Sequence, residues 1–334
     1  MIRLAVLGCG RIGRMHAANI AAHPRATLAM VHDIHAPAAD AVAAEHGVPA
    51  GSADDAFGPG MDAVLVATAT ETHADFIERA VAAGKPILCE KPIDLDPARV
   101  ARCAEAIAGG AVPVQIGFNR RFDPGHRAAR DALRAGEIGE LQQVVITSRD
   151  PAMPPRDYYA AAGGLMRDMT IHDFDLARFM LGAEPVEVFA IGGRRTDPAL
   201  MAELNDHDSA MIVMRTADGV QCHINNARCA VYGYDQRVEL LGDAGMLVSG
   251  NRKPHEMRRY TAAQSEAAAP YEFFFAERYA EAFRAQLDAF FDSIETGTAV
   301  QAGFDDGHRA LLLAEAAYRS LREGRMVRVE EAAP

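Results

Sequence analysis

Ile2-Arg3-Leu4-Ala5-Val6-Leu7-Gly8-Cys9-Gly10-Arg11-Ile12-Gly13 opens the chain and decides its fold. A compact apolar strand over Ile2–Leu7 runs straight into GxGxxG, and a helix follows over Ile12–Ala22. In that setting each glycine has a task. Gly8 permits the tight turn, Gly10 lets the backbone approach a pyrophosphate, and Gly13 lets helix and strand pack closely. The helix N-terminus turns its unpaired N–H groups towards the phosphates. A second strand, Thr27–His32, ends at Asp33, roughly 20 residues on from the glycines, where this motif carries its acidic residue. Its carboxylate can accept from the adenosine ribose hydroxyls and would repel a 2′-phosphate. No arginine follows in Asp33-Ile34-His35-Ala36, so NAD is favoured over NADP. A tight turn with no ligand beside a surface aspartate is the plainer alternative.

Working outward, strands and helices keep alternating. A helix is expected over Pro37–His46, a buried strand over Asp62–Ala67 and a helix over His73–Ala83. A strand over Pro86–Cys89, a helix over Asp96–Ala108 and a strand over Val112–Gly117 follow. This spacing implies βαβ units and a parallel sheet. After about residue 121 the pattern changes. Asp123–Ala135 reads as a helix, Gln142–Ser148 as a strand, Pro151–Tyr159 as a proline-rich loop, and Gly163-Gly164 opens an amphipathic helix to about Leu181. Strand-like segments then succeed one another: Val186–Gly192, Ser209–Arg215, Val220–Cys229, Gln236–Leu241 and Met246–Ser249. Ala262–Pro270 reads as a surface loop, and Phe273–Glu295 and Asp305–Glu323 as long helices. The expected architecture is α/β. A doubly wound, Rossmann-type parallel sheet occupies residues 1–120, and an α+β domain on a largely antiparallel sheet occupies residues 121–334. An open antiparallel sheet leaves an apolar face to be covered by helices or by a second subunit.

Composition narrows the function. At 334 residues the chain is long enough for two domains, and 49% hydrophobic with 24% charged residues is ordinary for a globular enzyme. A net charge of −12 argues against nucleic acid or an anionic membrane as partner and is compatible with an uncharged substrate. The five cysteines, Cys9, Cys89, Cys103, Cys222 and Cys229, form no CxxC pair, which argues against disulfides and thiolate zinc and fits a reducing cytoplasm. The first residues lack a signal-peptide pattern, and no apolar run reaches membrane-spanning length.

Two segments carry candidate chemistry. Lys91, in Glu90-Lys91-Pro92, follows a strand at the sheet edge where doubly wound folds bind ligands. It could hold a substrate hydroxyl and stabilise alkoxide character, or be a solvated lysine before a turn. Asp168-Met169-Thr170-Ile171-His172-Asp173-Phe174-Asp175 is the densest polar cluster. On a regular helix Asp168, His172 and Asp175 share one face. Oxidising a carbinol also requires removal of the hydroxyl proton. A histidine suits that task, with a carboxylate one turn away to orient it. A salt-laced helix face would use the same residues. The spacing fits no standard zinc motif, so no metal is expected. Thr70, Glu71 and His73 could line the cofactor cleft, and Asn119, Arg120 and Arg121 could touch cofactor or substrate or form salt bridges. The phenols of Tyr232 and Tyr234 suit polyol hydroxyls or core packing alike.

The runs GCGRIG at Gly8–Gly13, ATATETH at Ala67–His73, CEKP at Cys89–Pro92 and GGLMRDMTIHDFDLARFMLG at Gly163–Gly182 resemble the glucose–fructose oxidoreductase and inositol dehydrogenase (Gfo/Idh/MocA) family over nearly the whole chain. The resemblance implies a catalytic lysine–aspartate–histidine group on Lys91, Asp168 and His172. It implies NAD contacts at Gly8, Gly10, Arg11, Ile12, Gly13, Asp33, Thr68, Thr70, His73, Glu90, Lys91 and Asn119. Substrate contacts fall on Lys91, Arg120, Asp150, Asp168, His172, Asp175, Tyr232 and Tyr234. A homo-oligomer, as a tetramer, is implied too. GFNRRFDP at Gly117–Pro124, SRDP at Ser148–Pro151 and YGYDQR at Tyr232–Arg237 are similar to inositol 2-dehydrogenases, which implies oxidation of a cyclic polyol, myo-inositol above others. Ala69 stands where many relatives carry proline. Another inositol isomer, an aldopyranose, a lyase or glycosidase using NAD transiently, and a non-catalytic NAD-binding regulator are the alternatives. Whether His172 or Lys91 accepts the proton stays open.

Overall fold

The computed structural model describes residues 1–332, in two compact units. The first is built from Met1–Asn119 together with Ala282–Leu311. Its strands β1 (Ile2–Leu7), β2 (Ala26–His32), β3 (Ala63–Val66), β4 (Ile87–Cys89) and β5 (Val114–Ile116) form one sheet in the order β2-β1-β3-β4-β5. Every pairing in it is parallel. Helices α1 (Arg11–Ala21), α2 (Ala36–His46), α3 (His73–Ala82) and α4 (Pro97–Ile107) link the strands. Strands buried on both faces read as unbroken apolar runs, as in the fully buried AVLV of β3. Asp96 caps α4 by accepting from the Ala98 N–H, with Pro97 in the first turn. The strand order reverses between β1 and β3, the switch point at which such sheets bind ligands.

The core of this unit joins Leu4, Val6, Ile20, Leu28, Leu65 and Leu88 to Leu287, Phe290 and Phe291. The last three lie far along the sequence, in a helix that the sequence reading assigned to the second domain. Each large apolar side chain so buried stabilises by roughly 1.5–3 kcal/mol, which is why the segment groups here.

The second unit is built from Arg120–Glu281 and the segment after Leu311. Its elements begin with α5 (Pro124–Arg134), β6 (Leu141–Arg149), α6 (Arg156–Ala162), α7 (Ile171–Leu181), β7 (Pro185–Gly193), α8 (Pro198–Glu203) and β8 (Ser209–Thr216). β9 (Gln221–Ala227), β10 (Asp235–Gly242), β11 (Met246–Ser249), β12 (Arg258–Thr261) and β13 (Gln264–Ala268) follow, then α9 (Phe275–Arg278). The helices α10 (Ala280–Thr296) and α11 (Phe304–Glu323) and the strand β14 (Val327–Arg328) complete the chain. Seven strands form a sheet in the order β11-β10-β6-β9-β8-β7-β14. Only β6 and β9 run parallel; the other pairs are antiparallel.

One face of this sheet is buried and apolar. In register across it run Ala190, Ile212, Ile224, Ile146 and Val238. One residue pair further along each strand the same face turns polar, with Asn226, Ser148 and Gln236 in register and buried. The opposite face leaves Ile191, Met211, Val213, Met246 and Val248 exposed.

Three segments depart from the sequence reading. Ala262–Pro270 is not simply a loop: it holds β13, which pairs with the preceding β12 as a hairpin. Its positions are almost all exposed, so no apolar alternation marked it. The loop expected over Pro151–Tyr159 gives way to α6 at Arg156. The helix expected from Gly163-Gly164 contains a π turn over Met166–Thr170 before α7 begins. Among the described residues no helix is long and apolar enough to cross a membrane.

Candidate active site

In the first unit the expected cofactor residues gather at the carboxyl ends of β1, β2, β3 and β4. Gly8 has φ +94, and a Cβ there would overlap the Ala67 carbonyl just past neighbouring β3. A Cβ on Gly13 would overlap the Gly8 carbonyl. At Gly10, by contrast, nothing lies within 4 Å of where a Cβ would stand. Gly10 is the N-cap of α1, with no side-chain cap and no acidic residue in the first turn. Open space beside an uncapped, positively polarised helix end suits a pyrophosphate. Asp33 Oδ2 accepts from the Cys9 N–H at 2.7 Å and Oδ1 from the His35 N–H at 2.8 Å. Each oxygen retains a lone pair for a ribose hydroxyl. The residues present therefore fit a dinucleotide. Arg11 is exposed and Ile12 half-buried at the start of α1. Thr68 and Thr70 are half-buried after β3, where the Thr68 hydroxyl bonds that of Thr72 at 2.7 Å.

Two other expected cofactor contacts, His73 and Glu90, have partners inside the first unit. His73 is 2% exposed, and its two ring nitrogens face the Pro92 and Thr68 carbonyls at 2.7 and 3.1 Å. Burial lowers its pKa below the usual histidine value. Both ring nitrogens thus meet backbone. Glu90 meets His16 at 2.8 Å. Lys91 is half-buried directly after β4, and Asn119 is buried after β5.

In the second unit Asp168 lies in the π turn and His172 in the first turn of α7. A π turn bonds i to i+5 and displaces side chains from regular i, i+4 stacking, a feature common at functional sites. Asp168 is buried and accepts from the Arg228 guanidinium at 2.7 Å and from the Tyr158 hydroxyl at 2.6 Å. The other Arg228 terminal nitrogen donates to Asp150 at 3.1 Å. Arg228 is 3% exposed and was not singled out from the sequence. An arginine closing a β strand has no spacing signal; only the fold brings Asp150 and Asp168 to it. Burial pushes the Asp150 carboxyl above its ordinary pKa, with Arg228 acting against the shift and Asp168 adding to it.

Arg120 and Asp175, expected as substrate contacts, are engaged in buried ion pairs. Arg120 pairs with Asp173 and donates to the Ser148 hydroxyl at 3.1 Å. Asp173 also accepts from Asn226 at 2.9 Å, and Thr170 donates to Asn226 at 2.7 Å. This network caps the polar end of the sheet's inner face. Asp175 is fully buried and accepts from Arg121 at 2.6 and 2.8 Å. A carboxylate so enclosed anchors α7. Tyr234 is buried edge-on against Tyr279. Tyr232 is half exposed, accepts from Arg149 and donates to Asp235, both at 2.7 Å.

Comparison with known proteins identifies the family. Residues 2–118 match the model of an oxidoreductase family with an NAD-binding Rossmann fold, and residues 126–248 match a GFO/IDH/MocA C-terminal domain. An inositol 2-dehydrogenase of Rhizobium meliloti is 43% identical over 98% of this chain and 99% of its own length. The crystal structure of a myo-inositol dehydrogenase from Corynebacterium glutamicum superimposes with a TM-score of 0.95 at 44% identity, covering 98% of each chain. A scyllo-inositol dehydrogenase from Lactobacillus casei, solved with bound NAD(H) and scyllo-inositol, superimposes with a TM-score of 0.90 at 30% identity over 99% of each chain. With both units matched and relatives aligned end to end, the chain belongs to the GFO/IDH/MocA family of NAD-binding oxidoreductases.

Proposed function

We propose that this protein uses NAD to oxidise a secondary hydroxyl of a cyclic polyol, with myo-inositol converted to 2-keto-myo-inositol. The end-to-end match to inositol 2-dehydrogenases carries the reading. The residues it needs stand at a sheet edge and in a helix turn suited to such chemistry. The dinucleotide, held by Gly8, Gly10, Gly13 and Asp33, supplies the hydride acceptor when bound. His172 takes the proton from the reacting hydroxyl. Asp168, gripped by Arg228 and Tyr158, orients the imidazole and balances its positive charge. Lys91, directly after β4 at the carboxyl edge of the first sheet, is suited to stabilising negative charge on a substrate oxygen. Asp150 and Tyr232 offer acceptors and donors to the remaining hydroxyls. The protein acts as a homotetramer in the cytoplasm, and the exposed Ile191, Met211 and Val213 belong to the subunit interface.

NADH formation across a panel of inositols and aldopyranoses tests the reading. The fastest turnover is expected with myo-inositol. A scyllo-inositol preference would move the protein beside the Lactobacillus casei relative, and no NADH with any member of the panel would overturn the polyol reading. His172→Ala should lower kcat by about 10²–10⁴-fold while NAD binding persists. Near-normal turnover with an unchanged pH profile would transfer the proton to Lys91.

A further inference from the structure

Two buried histidines grip the Glu90-Lys91-Pro92 turn from opposite ends. His16, on α1, is fully buried, and its Nε2 lies 2.8 Å from Glu90 Oε1. Its ring stands edge-on against Phe283, 5.6 Å between centroids, and its Nδ1 has no partner among the described residues. The ring therefore has one polar engagement, the Glu90 carboxylate. Glu90 is pressed from the other side by Gly117: a Cβ on that glycine would lie 2.6 Å from Oε2. The carboxylate is enclosed between helix and strand, and the Glu90 N–H donates to Val66 on β3 at 2.8 Å.

At the far end of the turn, His73 Nδ1 lies 2.7 Å from the Pro92 carbonyl. Its Nε2 faces the Thr68 carbonyl at 3.1 Å. A neutral imidazole carries one N–H, so one of these two carbonyls receives the hydrogen bond. The shorter separation assigns it to Pro92. Burial lowers the pKa of His73, which agrees with the neutral ring.

The two histidines also have telling addresses. His16 stands one turn and a half into the helix that starts at the glycine loop, and His73 begins the helix that follows the Thr68–Thr72 loop. Both loops are expected to take the dinucleotide, and Lys91 is the residue enclosed by the two grips.

We propose that His16 and His73 are positioning residues for Lys91: His16 fixes Glu90 through Nε2, His73 fixes Pro92 through Nδ1, and together they hold the lysine in one register with the dinucleotide loops. The proposal rests on the reading of Lys91 as a group that acts on the substrate oxygen. It has a signature that plain core packing lacks. An asparagine amide nitrogen reaches about as far as histidine Nδ1, and a glutamine amide nitrogen about as far as Nε2. The permitted replacement is therefore asparagine at 73 and glutamine at 16.

The experiment compares His73→Asn with His73→Gln, and His16→Gln with His16→Asn, in the full-length protein. His73→Asn and His16→Gln should retain most of kcat. His73→Gln and His16→Asn should lose roughly 10–100-fold, the scale of a misplaced catalytic group, with NADH affinity, read by fluorescence titration, changed less than threefold. A second readout needs no turnover: the acylation rate of Lys91 by an amine reagent in the cofactor-free protein, mapped by peptide mass. It should shift in His73→Gln and His16→Asn and stay near the parent value in the other pair. If the parent makes no NADH from any polyol, the functional reading fails while the acylation pattern still decides the grip. Equal losses for asparagine and glutamine at both positions, or Lys91 acylation unchanged in all four variants, would overturn the proposal.

Discussion

Replacing Arg228 with methionine removes a cation that pairs with both Asp150 and Asp168. Methionine keeps much of the volume, so the cost is electrostatic. Breaking a buried ion pair by deleting one partner typically costs about 3–5 kcal/mol, because a charge is left uncompensated. Asp150 is partly exposed, with 23% of its side chain accessible, which argues for the lower end, about 3 kcal/mol. In a unit of this size each kcal/mol moves the midpoint by roughly 2–4 °C, so Tm should fall by about 6–12 °C. The pH dependence gives the sharper test. The Asp150 carboxyl is already pushed up by burial and held down chiefly by Arg228. Without the guanidinium its folded-state pKa rises further above the unfolded value. The folded variant then binds its proton more tightly than the unfolded chain, so its deficit is small near pH 4 and widens as pH rises towards neutrality. Thermal unfolding of Arg228→Met and of the parent between pH 5 and 8 measures it. Adding Asp150→Asn to the variant should recover about half of the loss, because one of the two stranded charges is gone. A deficit under 1 kcal/mol, or one equal at pH 5 and pH 8, would refute the view that Arg228 compensates these carboxylates.

The other predictions concern cofactor, acid stability and assembly. Asp33→Asn should keep an acceptor for the Cys9 N–H yet lose the charge that repels a 2′-phosphate; the NAD-over-NADP preference in kcat/KM should relax by about 5–150-fold, the equivalent of 1–3 kcal/mol, and an unchanged ratio would remove Asp33 from cofactor choice. His126 is fully buried, and desolvation holds its pKa down to about 4 against an ordinary 6.5. The unfolded chain therefore takes up that proton first, so the stability it contributes is complete above pH 6.5 and is lost as pH falls towards 4, about 3 kcal/mol in all. His126→Asn, whose amide can still reach the Ser249 hydroxyl, should flatten the melting curve's pH dependence in that window; an unaltered slope would show that the ring titrates normally. Met211→Glu, on the open sheet face, should split the proposed tetramer into 35.9 kDa subunits by light scattering; a parent protein already of that mass would reject the interface.

The local chain determined the first sheet and its cofactor loop. Gly8, Gly13 and the strand they follow are constrained by contacts a few residues away or across one strand pair, so the pattern declares them. Asp33 is legible for the same reason: its place is the end of the next strand. The alternating strands of the second unit are equally local, because a face buried at every second residue prints its period in the sequence. The tertiary structure alone decided the remainder. That Ala282–Leu311 packs with the first unit depends on Leu287, Phe290 and Phe291 meeting Leu4 and Val6, contacts between residues nearly the whole chain apart. The π turn that carries Asp168 has no compositional mark. Arg120, His73 and Asp175 carry polar side chains suited to a ligand, and only the fold shows that Asp173, backbone carbonyls and Arg121 lie against them. Arg228, which no motif announced, became the partner of two aspartates because β9 ends beside both. A polar residue's type states which bonds it can make. Which of them it makes is set by whatever the fold brings within about 3 Å of it.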